Sequence, residues 1–176
     1  MRRCSYLFFP LLLLLFGCPQ DRGETLFEII YEPINFTLTP GQPSFQSFVI
    51  ARPNLPTRFA ATLQGNSVSL DQLDEISGLF ARVSSLSGED FSQLRSIDLR
   101  VCPVEENNCT EFDVLFSVND LYRRRDINVN LNPGLRNFRE VFEEELVRFE
   151  LVFVSGETTT QSIDCRLEWG VRGVSR

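Results

Sequence analysis

Alternation of apolar and polar residues with a period of two constrains the fold of this chain more than any other feature. In LVRFELVFVS every second residue from Val147 to Phe153 is apolar, and QSIDCRLEWGVRG alternates in the same way from Ile163 to Val171. A period of two places successive side chains on opposite faces, so each segment predicts a strand with one buried face. We expect both apolar faces to lie in the core.

About eight or nine such segments follow one another at close spacing, with no long helix between them. This pattern predicts an all-β, antiparallel, two-sheet β-sandwich, immunoglobulin-like or jelly-roll-like, with one or two short helices. We expect TRFAATL to be a strand and ARPNLP a proline-rich loop. Short helical segments are expected from Asp71 and in NPGLRNFREVFEEE, where Phe138 and Phe142 are four residues apart.

The first 18 residues differ from the rest of the chain. Arg2 and Arg3 precede an apolar run from Tyr6 to Phe16, and Gly17-Cys18 follows it. A basic start, an apolar segment of this length and a small residue before the cleavage point are typical of a secretory signal peptide. A helix that spans a bilayer needs about 20 apolar residues, which this run does not supply.

The end of the apolar run, Leu15-Phe16-Gly17-Cys18, resembles the lipobox of bacterial lipoproteins. The resemblance covers these first 18 residues only. It implies cleavage between Gly17 and Cys18, attachment of a diacylglycerol to the Cys18 thiol, and anchoring of the mature protein in a membrane. From the residues alone, an ordinary cleaved signal with an incidental cysteine, or a eukaryotic secreted protein, is the alternative.

The domain organisation follows from this cleavage. We expect residues 1–17 to be the signal peptide, 18–24 a lipidated tether and 25–176 a single domain. Loss of Arg2 and Arg3 changes the net charge from −7 to −9. Such an acidic protein is not expected to bind nucleic acid, which is held by basic phosphate contacts. The expected location is the bacterial cell envelope, facing the periplasm or the cell surface.

The chain contains no His, and all of its basic residues are Arg. The usual general base near neutral pH, the commonest zinc ligand and the Schiff-base amine are therefore missing. We predict a protein without cofactor or metal and with a non-enzymatic binding or structural role, whose partners are the membrane and an envelope protein or glycan. A carbohydrate-binding module or a carboxylate-based hydrolase of envelope polysaccharide is the alternative.

Three cysteines remain after Cys4 and Cys18 are assigned to the signal and the lipid. Cys102 and Cys109 flank a six-residue connection between two alternating segments, which predicts a hairpin closed by a disulfide. In the register that we expect, Leu99 faces Phe112. Pairing of one of them with Cys165, or free thiols, are the alternatives.

Overall fold

The computed structural model describes residues 23–175, which form nine β-strands, two short α-helices and two 3₁₀ turns. The strands are β1 (Thr25–Ile30), β2 (Ile34–Leu38), β3 (Ser47–Pro56), β4 (Leu73–Ser85), β5 (Leu94–Pro103), β6 (Val114–Val118), β7 (Asn128–Pro133), β8 (Leu146–Ser155) and β9 (Ile163–Ser175). The helices are α1 (Phe59–Asn66) and α2 (Arg139–Glu143), and the 3₁₀ turns are Leu70–Gln72 and Glu111–Asp113.

The expected signal peptide, the cleavage between Gly17 and Cys18 and the lipid on Cys18 lie outside the described residues. Within residues 23–175, no helix is long and apolar enough to cross a membrane.

The nine strands form one antiparallel sheet that curls into a half-barrel, with the order β1-β9-β4-β7-β6-β5-β8-β3. Strand β2 also pairs with β9, next to β1 along the same edge. The prediction of a mostly β fold with about eight or nine strands and one or two short helices is confirmed, since the described residues form nine strands and two short α-helices. The prediction of two separate sheets is wrong, because the structure has one.

The sheet has two halves, which join where β6 pairs with β7. One half contains β1, β2, β9, β4 and β7, and the other contains β6, β5, β8 and β3. Strand β7 pairs with β4 on one side, and on the other it pairs with β6 through Phe116–Pro133 and Ser117–Asn132. We call this pairing the junction. Only two residue pairs form it, and no local pattern marks so short a ladder. Two packed sheets and one curled sheet bury the same alternating faces, so periodicity alone does not distinguish them.

The core is built from the inward faces that alternation predicts. All of the residues predicted to face inward in β8 and β9 are at most 5 % exposed; these are Val147, Phe149, Leu151, Phe153, Ile163, Cys165, Leu167, Trp169 and Val171. Aromatic rings connect the two halves of the sheet across this core. The ring of Phe149 lies 5.4 Å from that of Trp169, and Phe36 lies 5.5 Å from Phe153.

The segment TRFAATL is not the strand that we expected. Its residues from Phe59 onward belong to α1, where Phe59 is buried and Leu63, four residues later, packs against the core. A spacing of four places both side chains on one helix face, and two alanines between them favour the helix. A few alternating residues fit either period, and here tertiary packing selects the helix.

The segment ARPNLP is also not a free loop, because it forms the second half of β3. The register with β8 breaks between Arg52 and Leu55, and this irregularity accommodates Pro53. Proline is tolerated at bulges and on edge strands, where no partner needs its missing N–H. The brief helix expected near Phe138 is confirmed as α2.

The Cys102–Cys109 disulfide is present, with a Cα–Cα distance of 5.5 Å, and Cys165 stays a buried thiol. The predicted register is wrong, since Leu99 faces Phe116 and not Phe112. Residues 111–113 form a 3₁₀ turn capped by Thr110, so β6 begins only at Val114. This turn moves Phe112 out of the ladder and leaves it 78 % exposed.

Candidate functional site

The two free edges of the curled sheet approach each other without backbone pairing. The β1–β2 edge lies on one side and β3 on the other, and we call the line between them the seam. The hydroxyl of Tyr31 donates a hydrogen bond across it to the carbonyl of Thr57 at 2.9 Å. Phe36 of β2 and Phe48 of β3 both contact the ring of Phe153. Side chains therefore hold the seam together.

A cleft of about 410 Å³ opens at the seam, and we call it the seam cleft. Its lining residues come from the β1–β2 connection, the start of β2, the end of β3 and the middle of β9; they are Tyr31, Glu32, Pro33, Ile34, Asn35, Arg52, Leu55, Pro56, Arg58 and Trp169. A volume of this size is in the range of small-molecule sites. The seam cleft is thus the strongest candidate for a binding site.

Two stacked aromatic rings underlie the seam cleft. Tyr31 and Trp169 are parallel within 6°, with centroids 4.1 Å apart, and the backbone N–H of Tyr31 donates to the carbonyl of Trp169. Burial raises the pKa of the Tyr31 hydroxyl, and the nearby charge of Arg58 opposes that shift only in part. The phenol therefore keeps its proton at neutral pH and donates it to Thr57.

Two arginines and one glutamate carry the charges of the seam cleft. Arg58 lies 3.7 Å from Glu32, and both side chains are largely exposed, so this pair contributes little to stability. The Arg52 guanidinium donates only to the carbonyl of Ala51, at 3.5 Å, and has no carboxylate partner among residues 23–175. The lining therefore carries an excess of one positive charge.

The backbone of Arg58 is left-handed, with φ of 59° and ψ of 11°, immediately before α1. This conformation costs a residue other than glycine about 1–2 kcal/mol. A glycine at this position would avoid that cost, but it would also remove a guanidinium from the seam cleft. Strained residues cluster at functional sites, where surrounding structure maintains them.

The indole of Trp169 is the third potential donor. Its Nε1 is buried and has no hydrogen-bond partner within the part of the chain that the structure describes. A buried polar group without a partner costs about 1–3 kcal/mol, and such groups are rare in folded proteins. Trp169 also lines the seam cleft, so this donor without a partner belongs to a residue of the candidate site.

Prolines on both walls determine which kind of ligand can enter the seam cleft. Pro33 lies on one wall, and Pro53 and Pro56 interrupt the β3 edge on the other. A peptide that added a strand would need regular N–H and C=O groups along one of these edges. Proline removes the N–H and protects the edge from strand addition. The seam cleft is better suited to a compact ligand.

The disulfide predicted from the sequence lies on other elements than the seam cleft, between β5 and the turn before β6. Ligand atoms of Cys102, Glu106 and Asp113 lie within 4.8 Å of one another there. The sulfur of Cys102 is bonded to Cys109, and Asp113 accepts hydrogen bonds from Thr110 and pairs with Arg136. This group is therefore not suited to hold a metal ion.

A second, polar cleft of about 480 Å³ is lined by Asp74, Asn137, Arg139, Glu140 and Glu143. We call it the acidic cleft. Arg139 donates to Glu143 at 2.8 Å and to the carbonyl of Leu73 at 2.6 Å. Arg139 therefore neutralises part of the negative charge of this cleft.

Sequence reasoning missed the seam cleft, although one of its signals was visible. Prolines at 33, 53 and 56 indicate an edge or a loop, and each of them lies at the seam. What sequence could not show is that Pro33, Pro56 and Trp169 line the same cleft. Trp169 is more than a hundred residues from either proline.

No protein-family model and no curated protein matches this chain. Among solved structures, a similarity is found to the cryo-EM structure of a giant freshwater prawn Macrobrachium rosenbergii nodavirus semi-empty VLP. The match has 12 % sequence identity and a TM-score of 0.24, and it covers 100 % of this chain and 95 % of that chain. A TM-score this low supports no conclusion about fold or function.

Proposed function

We propose that this chain is an exported bacterial lipoprotein, anchored in an envelope membrane through a lipid on Cys18, and that its β domain is a non-enzymatic binding module. The sequence Leu15-Phe16-Gly17-Cys18 at the end of an apolar run carries the anchoring part of the proposal. The seam cleft carries the binding part. The partner in the envelope is a protein, a glycan or a smaller compound released there.

The disulfide supports export. A bond between Cys102 and Cys109 persists in a periplasm or outside the cell, and it is uncommon in a reducing cytosol. A lipid at Cys18 would also explain why no further membrane segment is needed, since two or more acyl chains hold a protein stably.

The tether that remains after cleavage would be short. Six residues separate Cys18 from Thr25, the first residue of β1, and six extended residues span about 20 Å. The backbone N–H of Ser175, at the end of β9, donates a hydrogen bond to the carbonyl of Glu24. The end of the sheet that contains the start of β1 and the end of β9 would therefore lie next to the membrane.

The non-enzymatic role is supported by composition and by the seam cleft. Without His or Lys, acid–base chemistry would depend on carboxylates, Tyr or Cys. Among residues 23–175, Glu32 is the one carboxylate that lines the seam cleft, and the Tyr31 hydroxyl already donates to Thr57. Paired carboxylates, which a glycosidase needs, are therefore missing from that lining.

The alternative proposal, a carboxylate-based hydrolase of envelope polysaccharide, would use the acidic cleft. This cleft brings Asp74, Glu140 and Glu143 to one surface depression. If this alternative holds, Glu140→Gln abolishes polysaccharide cleavage while Glu157→Gln, on the loop between β8 and β9, does not. Absence of cleavage by the unaltered protein on envelope polysaccharides would exclude it.

Metabolic labelling with a radioactive fatty acid tests the anchor. We expect the unaltered protein to incorporate the label and Cys18→Ser to lose it completely. Cys4→Ser is the matched control, because Cys4 lies in the part that cleavage would remove, and this variant should keep the label. Label in Cys18→Ser, or loss of label in both variants alike, would contradict the proposal.

A further inference from the structure

We propose that the seam cleft binds a small carboxylate with an apolar body. This inference rests on the binding role proposed above and specifies the ligand class. It depends on three observations: the donors carried by residues that line the cleft, the apolar side chains that line it with them, and the prolines that exclude an added strand.

The donors determine the charge of the ligand. Arg52 and Arg58 contribute two guanidinium groups, and the Nε1–H of Trp169 is a buried donor without a partner among residues 23–175. Arg52 has no carboxylate partner there, so its charge is available. Arginine binds carboxylate oxygens in a bidentate geometry that a neutral acceptor does not match. A carboxylate satisfies these groups better than any neutral ligand.

The apolar side chains determine the body of the ligand. Pro33 and Ile34 lie on one wall, and Leu55 and Pro56 lie on the other. Burial of an apolar ligand against them gains about 25 cal/mol per Å². A sugar acid would lose the hydration of its hydroxyl groups there, because the described lining has few acceptor side chains: Glu32, Asn35, which already accepts from Arg166, and the hydroxyl of Tyr31. An aromatic or branched aliphatic acid is therefore favoured over a uronic acid.

The single Trp of the chain makes a direct test possible. Full-length, ¹⁵N-labelled protein is titrated with phenylacetate, and the indole N–H signal of Trp169 is followed by NMR. We expect a saturable downfield shift as Nε1–H gains an acceptor. The neutral isostere phenylacetamide should bind about tenfold more weakly, because it lacks the charge that the arginines recognise. Equal binding of acid and amide would overturn the proposal.

Galacturonate and acetate form the comparison arms. Galacturonate carries a carboxylate on a polar, hydroxylated ring, and acetate carries a carboxylate on a single methyl group. We expect both to bind at least about tenfold more weakly than phenylacetate, since neither buries comparable apolar surface. Saturation by galacturonate at a lower concentration than phenylacetate would overturn the proposal in favour of an acidic glycan.

The variant Arg58→Gly separates binding from folding. It removes a guanidinium from the seam cleft and also relieves a left-handed residue, so Tm should be unchanged or higher while phenylacetate affinity falls about tenfold. Arg123→Gly is the matched control. Arg123 has φ of 65° as well, but it stacks on Tyr122 and does not line the seam cleft. It should bind phenylacetate normally.

Loss of affinity in both glycine variants, or in neither, would contradict the proposal. Because the titration does not depend on a lipid, its outcome is independent of the anchor. If the protein binds phenylacetate but carries no fatty acid, the lipoprotein proposal is refuted and the proposed ligand site stands. A labelled protein that does not bind phenylacetate refutes the ligand class alone.

Discussion

The two halves of the sheet meet twice, at the junction and at the seam, and the two meetings differ in kind. At the junction, β6 and β7 exchange backbone hydrogen bonds over two residue pairs, and the N–H of Gly134 adds a bond to the carbonyl of Leu115. At the seam, β2 and β3 are joined by aromatic side chains and by the bond from Tyr31 to Thr57. A cleft opens at the seam.

Side-chain packing and backbone pairing leave different kinds of space. A paired ladder holds strands about 4.8 Å apart and leaves no room for a ligand. Side chains that meet across an unpaired line can differ in size, and where they are small or turn away a cavity remains. The junction therefore makes the half-barrel continuous, and the seam contains the cleft for which we propose a ligand.

The largest loss of stability is expected when the aromatic contact at the seam is removed. Phe153 is 1 % exposed and touches rings from both walls, so Phe153→Ala should lower the free energy of unfolding by about 3–5 kcal/mol. Phe112→Ala, at an exposed phenylalanine, should change it by less than about 0.5 kcal/mol. Urea denaturation measures both. Similar losses for both would show that Phe153 does not hold the seam.

Removal of the disulfide, which lies on the junction side of the sheet, should cause the next largest loss of stability. Cys102 and Cys109 are seven residues apart, and cross-linking a loop of this length stabilises a fold by about 2.5 kcal/mol. Urea denaturation with and without reductant measures the difference. The double variant Cys102→Ala, Cys109→Ala should be insensitive to reductant. An unaltered protein that is equally insensitive would mean that the bond does not stabilise the native state.

Close approach at the junction requires Gly78. A Cβ there would lie 2.5 Å from the ring of Phe116, which is buried in β6. We expect Gly78→Ala to destabilise by about 1–3 kcal/mol through overpacking. Gly65→Ala in α1, where a Cβ meets nothing within 4 Å, should stabilise by about 0.5–1 kcal/mol. Thermal denaturation distinguishes the two, and a stabilising Gly78→Ala would contradict the close approach.

A smaller effect is expected from the hydrogen bond that Tyr31 donates across the seam. Tyr31→Phe removes the donor to Thr57 and should cost about 0.5–1.5 kcal/mol. Tyr122→Phe removes only an exposed, 3.4 Å contact with Glu157 and should cost almost nothing. If calorimetry finds equal Tm values for both variants, the Tyr31 bond does not contribute to closing the seam.

The smallest expected effect is a pH dependence at the start of β6. Burial opposes ionisation of Asp113, but hydrogen bonds from Thr110 and the charge of Arg136 outweigh it and lower the pKa of this carboxyl. A carboxyl whose pKa is lower in the folded state stabilises the fold at pH values above its unfolded pKa of about 3.9. This contribution is lost as the pH falls through the folded pKa. The stability difference between unaltered protein and Asp113→Asn should therefore shrink below pH 4. A difference that stays constant in acid would contradict this.

Sequence patterns predicted the parts of this fold that depend on local periodicity. The inward faces of β8 and β9 followed from alternation, and the disulfide from a hairpin with a cysteine on each side of its connection. The register of β5 and β6 did not, because a 3₁₀ turn at Glu111–Asp113 displaces the ladder. The single sheet and the seam cleft depend on contacts between distant segments, and no local pattern encodes these.

Mass spectrometry of the protein purified from whole cells, without reduction, tests the central claim most directly. We predict that the first residue is Cys18, that its mass includes a diacylglycerol, and that one peptide pair contains the Cys102–Cys109 bond. Burial, together with the charge of Asp164, raises the pKa of Cys165 to about 12, so this thiol should stay unmodified by iodoacetamide in the native protein. A protein that retains residues 1–17, or whose Cys18 carries no lipid, would contradict the proposal of an anchored binding module.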